Sequence, residues 1–148
     1  MPRKVFLNNT ALDAADLNEG AFSDAVQADV ATDQATSSTS YGDLTTVGPS
    51  VTMTLTQSQQ VMVTVYALMI NQTVSGGEFM SFAVSGVESL AASDNNAANS
   101  RSTDRVGVQK TTWYTAGTTG SHTFTAKYKA EASGSASFSF RRISVKRF

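Results

Sequence analysis

The stretch VTMTLTQSQQVMVTVYALMI, residues 51–70, changes rhythm at its centre. Its first six residues alternate strictly. Val51, Met53 and Leu55 fall on one face and threonines on the other, which is the period of a half-buried β-strand. QSQQ is a short polar turn. The run from Val61 to Ile70 is longer and almost wholly apolar. Its β-branched start, VMVTV, argues against a helix. It predicts a central strand that is covered on both faces, or one that crosses a subunit contact. Two consecutive strands joined by a turn set the reading of the chain as all-β.

The same period continues outward. Gly42 and Gly48-Pro49 punctuate the polar β-formers that precede residue 51. After Gly76-Gly77, EFMSFAVSG puts Met80, Phe82 and Val84 on one face and Phe79 and Ala83 on the other. Residues 86–104 read as a long loop, of the kind that serves function or contact. RVGVQKTTWYT is a strand, AGTTGS a turn, and HTFTAKYKA a strand with Phe124, Ala126 and Tyr128 pointing alike. At the C-terminal end Phe138 and Phe140 share a parity that Ile143 and Val145 break. One extra residue near Arg141-Arg142 is needed, which predicts a β-bulge. Short strands at this spacing predict an antiparallel two-sheet β-sandwich of jelly-roll type over residues 36–148.

Residues 1–35 differ. TALDAADLNEGAF predicts a short helix, with Thr10 or Asp13 as N-cap and Gly20 as stop. A helix of about three turns is not stable alone. The segment therefore reads as an arm that docks on its own domain or on a partner. Phe6, Leu12, Leu17 and Phe22 are its candidate docking residues.

Composition narrows the chemistry. Only 16% of the 148 residues are charged, against the roughly 25% of ordinary soluble domains. Ser, Thr, Asn and Gln supply the polarity instead. The net charge of −1 hides an asymmetry. Residues 13–43 carry seven acids and no base, and residues 127–148 carry six bases against Glu131. The expected reading is mutual neutralisation, within a subunit or between subunits. The bases alternate with strand residues and form no stacking platform, so no nucleic acid is expected as a partner. No segment reaches the ~18 apolar residues of a membrane-spanning helix, so no membrane is expected either. MPRKVFLNNT is basic but lacks a signal peptide's apolar stretch, which places synthesis in the cytoplasm.

There is no cysteine and a single histidine, His122. Thiolate chemistry is thereby excluded. A strand-opening histidine is better read as structural than as a general base. Nucleotide loops and serine-hydrolase elbows are missing. Asp94-Asn95-Asn96 lacks EF-hand spacing. A glycan hydrolase would need two facing carboxylates from among Glu78, Glu88, Asp94 and Asp104, and nothing specific pairs them. No catalytic residue, metal or cofactor is expected. Trp113 and Tyr114 are adjacent in a strand, so one should be core. The other is a candidate exposed contact for a sugar or a partner.

VFLNNTALDAADLN, residues 5–18, resembles the N-terminal segment of many tailed-bacteriophage virion proteins, at Phe6, Asn8, Thr10, Leu12, Ala15, Asp16, Leu17 and Asn18. Asn9 stands where glycine is common. The rest of the chain is similar to small phage β-sandwich modules of capsid decoration proteins, head fibres and minor tail proteins. The resemblance implies a non-enzymatic virion protein that docks on other virion proteins through its arm, often as a trimer. The favoured expectation is a capsid decoration protein. The alternative is a minor tail protein or fibre tip that binds a host-surface glycan or receptor.

Overall fold

The computed structural model describes residues 25–72, 76–131 and 134–148. The helix expected over residues 10–20, and the docking candidates Phe6, Leu12, Leu17 and Phe22, lie outside them. Nine strands are found among the described residues: β1 (Ala25–Val30), β2 (Gln34–Thr36), β3 (Ser50–Leu55), β4 (Gln60–Asn71), β5 (Glu78–Gly86), β6 (Ala98–Ser100), β7 (Val106–Thr115), β8 (Gly120–Ala130) and β9 (Ala136–Arg147). They form two sheets. One runs β1-β9-β4-β7, with β2 also on β9; the other runs β3-β8-β5-β6. Every pairing is antiparallel. The fold is the jelly-roll sandwich that the alternation predicts.

Alternation becomes burial directly. Val51, Met53 and Leu55 of β3 face inward, and the intervening threonines are exposed. Along β4, Val61, Val63, Val65, Ala67 and Met69 are at most 1% exposed. Each fully buried aliphatic or aromatic side chain contributes about 1.5–3 kcal/mol. The odd and even sides of β4 do not fare alike. Met62, Thr64, Tyr66, Leu68 and Ile70 are only half-buried. Among the described residues, then, β4 is flanked on both edges by β7 and β9 but covered on one face only.

Within residues 25–35, expected to belong to the docking arm, β1 and the start of β2 pair with β9 as its edge neighbours. This part of the arm docks on its own sheet, with Val26 and Ala28 packed against the core. Antiparallel pairing also sets acidic and basic stretches side by side. Asp29 meets Arg142 at 2.5 Å. Elsewhere Asp33 takes Arg105 and Asp43 takes Lys127, both at 2.7 Å.

Two expectations need correction. The segment 86–104 is not all loop, since Ala98–Ser100 pairs with β5 and Leu90 bridges Val84. Phe138 and Phe140 do not share a face. The bulge falls at Phe140, whose φ is +47°, opposite a register shift between Tyr66 and Leu68. Phe138 stays in the core, while Phe140 is turned out and is 60% exposed. Arg141 takes the inward position and is fully buried.

β5 ends at Gly86, whose φ is +117°. A Cβ there would lie 2.2 Å from the carbonyl oxygen of Ser121, so only glycine lets the chain turn against β8. Gly86→Ala is expected to cost about 2–3 kcal/mol, from left-handed strain and the backbone clash together. A urea midpoint equal to that of the wild type would show that the turn relaxes freely.

Candidate functional site

The Gly86 turn delivers Glu88 to the chain's only histidine. His122 is fully buried on β8. Its Nδ1 donates to the Gly120 carbonyl at 3.0 Å, and its Nε2 meets Glu88 Oε1 at 3.0 Å. The Tyr114 hydroxyl donates to the same carboxylate oxygen. The Gly117 N–H donates to both carboxylate oxygens, at 3.0 and 3.1 Å. The Tyr114 ring stands edge-on to His122 and to Phe124. The Tyr114 hydroxyl, followed by the Gly117 N–H and His122, holds the Glu88 carboxyl below its ordinary range. Burial, with the Glu88 carboxylate beside it, pushes the Tyr114 hydroxyl up.

A base must reach its substrate, and an imidazole with no exposed surface and both nitrogens engaged does not. The cluster is a latch. It pins the 87–88 segment to the turn between β7 and β8.

The other carboxylates do not converge on Glu88. Glu78 points into the sandwich and is fully buried. Neither of its oxygens has a partner at full hydrogen-bond geometry. Burial raises its carboxyl pKa by more than its own N–H and the Ser100 hydroxyl lower it. Asp94 is tied to Lys129 and Tyr41, and Asp104 is exposed.

Trp113 and Tyr114 separate as adjacent strand residues do. Tyr114 is core, and Trp113 is 57% exposed. Trp113 lies on the outer face of the β1-β9-β4-β7 sheet, opposite Met62 and against Phe148, with ring centroids 5.3 Å apart. Lys146 caps the Phe148 ring at 4.9 Å. About 13 Å along β4, Tyr66, Leu68 and Phe140 surround an open cleft of about 560 Å³ bordered by Asp29 and Arg142. The sequence points to Trp113 but not to Tyr66, Leu68, Phe140 or Phe148. A signal is nonetheless present: the outward residues of β4 are apolar where a solvent-facing strand would be polar.

Several half-exposed and exposed apolar groups on one sheet face exceed the scatter of single apolar residues on an ordinary surface. This face is the candidate functional site.

No family model and no curated protein matches the sequence. Among solved structures, the chain aligns with dimeric latent PorU from Porphyromonas gingivalis at 14% identity and a TM-score of 0.39, over 86% of this chain and 14% of that one. It is also similar to the Eiger TNF of S. frugiperda, at 6% identity and a TM-score of 0.53, over 85% of this chain and 92% of that one. At such identity the likeness speaks for the fold alone: this chain has a TNF-like jelly-roll sandwich.

Proposed function

We propose that this chain is a self-associating, non-enzymatic structural protein of a bacteriophage virion: a capsid decoration protein that works as a trimer. The observation that carries the self-association is the apolar outer face of the β1-β9-β4-β7 sheet. Met62, Tyr66, Leu68, Trp113 and Phe140 lie there without a covering layer among the described residues. Copies of the chain are the occupant we assign to it. The rims bring both signs of charge, with Asp29 and Arg142 at one end and Lys146 at the other. Such a rim suits the head-to-tail contacts that close a three-fold ring, in which the acidic group of one copy can meet a basic group of the next. The virion reading rests on the resemblance of residues 5–18, whose arm would dock on the particle through Phe6, Leu12, Leu17 and Phe22. Assembly in the host cytoplasm fits a chain without cysteine.

Light scattering on the eluting protein is expected to give three times 15.6 kDa. Leu68→Asp should reduce this to a single chain that still unfolds cooperatively. A wild-type monomer at micromolar concentration would overturn the self-association. Removing residues 1–24, which precede β1, should abolish binding to particles but leave the assembly intact. Retained particle binding would refute the docking role of the arm.

A further inference from the structure

The opposite sheet carries a second and chemically different concavity. It lies on the outer face of β8 and β5, between two loops. One loop, residues 38–43, is fixed to β8 by Gly42, whose N–H donates to the Tyr128 carbonyl at 3.0 Å and whose carbonyl accepts from the Tyr128 N–H at 2.9 Å. The other runs from Leu90 to Asn96. It is held by Leu90 on Val84, by the Ser81 hydroxyl donating to the Ser93 carbonyl at 2.9 Å, and by the turn Asp94–Asn96. Between them is a groove of about 620 Å³, within the usual size of small-ligand sites, about 300–1,000 Å³.

The groove is built in two halves. Ala83, Ala91 and Ala92 give it a small apolar floor. Tyr41, Lys127, Lys129 and Asp43 give it polar walls. The walls are already fixed. Lys127 Nζ donates to both oxygens of Asp43, at 2.7 and 2.8 Å. Lys129 Nζ sits 2.7 Å from Asp94 Oδ1 and 2.9 Å from Oδ2. It is also clamped over the rings of Tyr41 and Phe79, 5.0 and 4.8 Å from their centroids. The Tyr41 hydroxyl donates to Asp94 Oδ1 at 2.9 Å.

From this arrangement we infer that the groove binds a neutral saccharide. An ammonium has three donors and each carboxylate oxygen about two acceptor sites. After their ion pairs form, Lys127 and Lys129 each keep a donor, and Asp43 keeps an acceptor on each oxygen. Donors and acceptors therefore stand side by side. Vicinal hydroxyls, each both donor and acceptor, match that display. The alanine floor suits the C–H face of a sugar ring.

Three competing ligands fit less well. An anion on the remaining lysine donors would sit beside the Asp43 and Asp94 carboxylates, which already neutralise those lysines and repel it. An apolar ligand would leave the remaining donors and acceptors unpaired. A peptide strand would add to a free sheet edge, and this groove lies on a sheet face. Because the lysines are held before any ligand arrives, little side-chain freedom is lost on binding.

The groove and the apolar face are on different sheets. The inference therefore stands apart from the assembly reading, and a monomeric chain could still bind sugar. The test is an amide-resolved NMR titration of the full chain with glucose, galactose, mannose and N-acetylglucosamine, with glucuronate as the acidic comparator. At least one neutral sugar should shift the amides of Gly42, Ala83, Ala91 and Lys127 together. Ala83→Leu and Ala91→Leu, which fill the floor but leave both ion pairs, should each weaken that binding at least tenfold. The exposed Ala91 position guards against a folding defect. Absence of shifts with all four neutral sugars overturns the inference. So do shifts with glucuronate alone, shifts centred elsewhere, or full affinity in both leucine variants.

Discussion

Arg141→Ala is expected to lower the unfolding free energy by about 3–5 kcal/mol, among the largest losses open to a single substitution in this chain. Arg141 is fully buried. One Nη1 serves two backbone carbonyls, of Thr46 and Gly48, each at 3.3 Å. Nη2 donates to Gln34 Oε1 at 3.0 Å, and the guanidinium lies 5.3 Å from the centre of the Tyr128 ring. The Tyr128 hydroxyl also donates to Gly48, at 2.8 Å. One side chain thus fastens β9 to β2, β8 and the loop that enters β3. Truncation takes a donor from the Thr46 carbonyl, leaves the Gly48 carbonyl with the Tyr128 hydroxyl as its side-chain donor, and opens a cavity the length of the side chain.

The bulge is what makes this possible. The left-handed backbone at Phe140 turns Phe140 out and Arg141 in. Arg141→Met fills most of the volume and should lose less than alanine, measured by urea unfolding. Equal losses below about 1 kcal/mol for both variants would mean that the guanidinium reaches water and that its carbonyl contacts do not fasten the strands.

Alternation makes most of the sandwich legible. Residues 51–55, 61–70 and 78–86 become β3, β4 and β5 almost to the residue: burial alternates with a period of two along β3 and β4, while β5 is buried on both faces over its first five residues and is bounded by glycines. The need for a bulge can be read from parity alone, since Ile143 and Val145 must face inward with Phe138. Its consequence cannot. Nothing local says that a chain will bury an arginine and expose a phenylalanine. The choice depends on carbonyls from residues 46 and 48, nearly a hundred positions away. β1 is masked for a related reason. AVQADV alternates only with small residues, and the surrounding acids read as an exposed arm; the strand is set by its pairing with β9. Glu88 and His122 are 34 residues apart. Each looks ordinary alone, because the latch exists only once the Gly86 turn folds back on β8. The outer face of β4 is visible as an apolar run, but the run alone does not distinguish a covered strand from an assembly surface.

Loss of the latch is the second large effect expected. His122→Ala removes a fully buried ring that fills the space beside Tyr114 and holds Glu88, and should cost about 2–4 kcal/mol. The acid limb of stability separates its electrostatic part from its packing. The Glu88 carboxyl is depressed in the folded state, chiefly by the Tyr114 hydroxyl, from an ordinary value of 4.5. Its contribution is therefore present above 4.5 and is lost as pH falls through the folded value. Asp33, lowered chiefly by Ser137, and Asp94, lowered chiefly by Lys129, act with the same sign from 3.8 downward.

Glu78 acts in the opposite sense. Burial raises its carboxyl, so its favourable neutral form is fully present below 4.5 and stability falls as pH rises through the folded value. Glu88→Gln should therefore flatten the decline in urea midpoint below about pH 4.5, while Glu78→Gln should raise the midpoint at about pH 7 and leave it unchanged at about pH 3. His122→Ala keeps the Tyr114 and Gly117 donors on Glu88, so it should keep most of the wild-type acid limb and add a loss that comes from packing. An acid slope in Glu88→Gln identical to that of the wild type would assign the acid sensitivity to Asp33 and Asp94. The latch would then be a matter of packing alone.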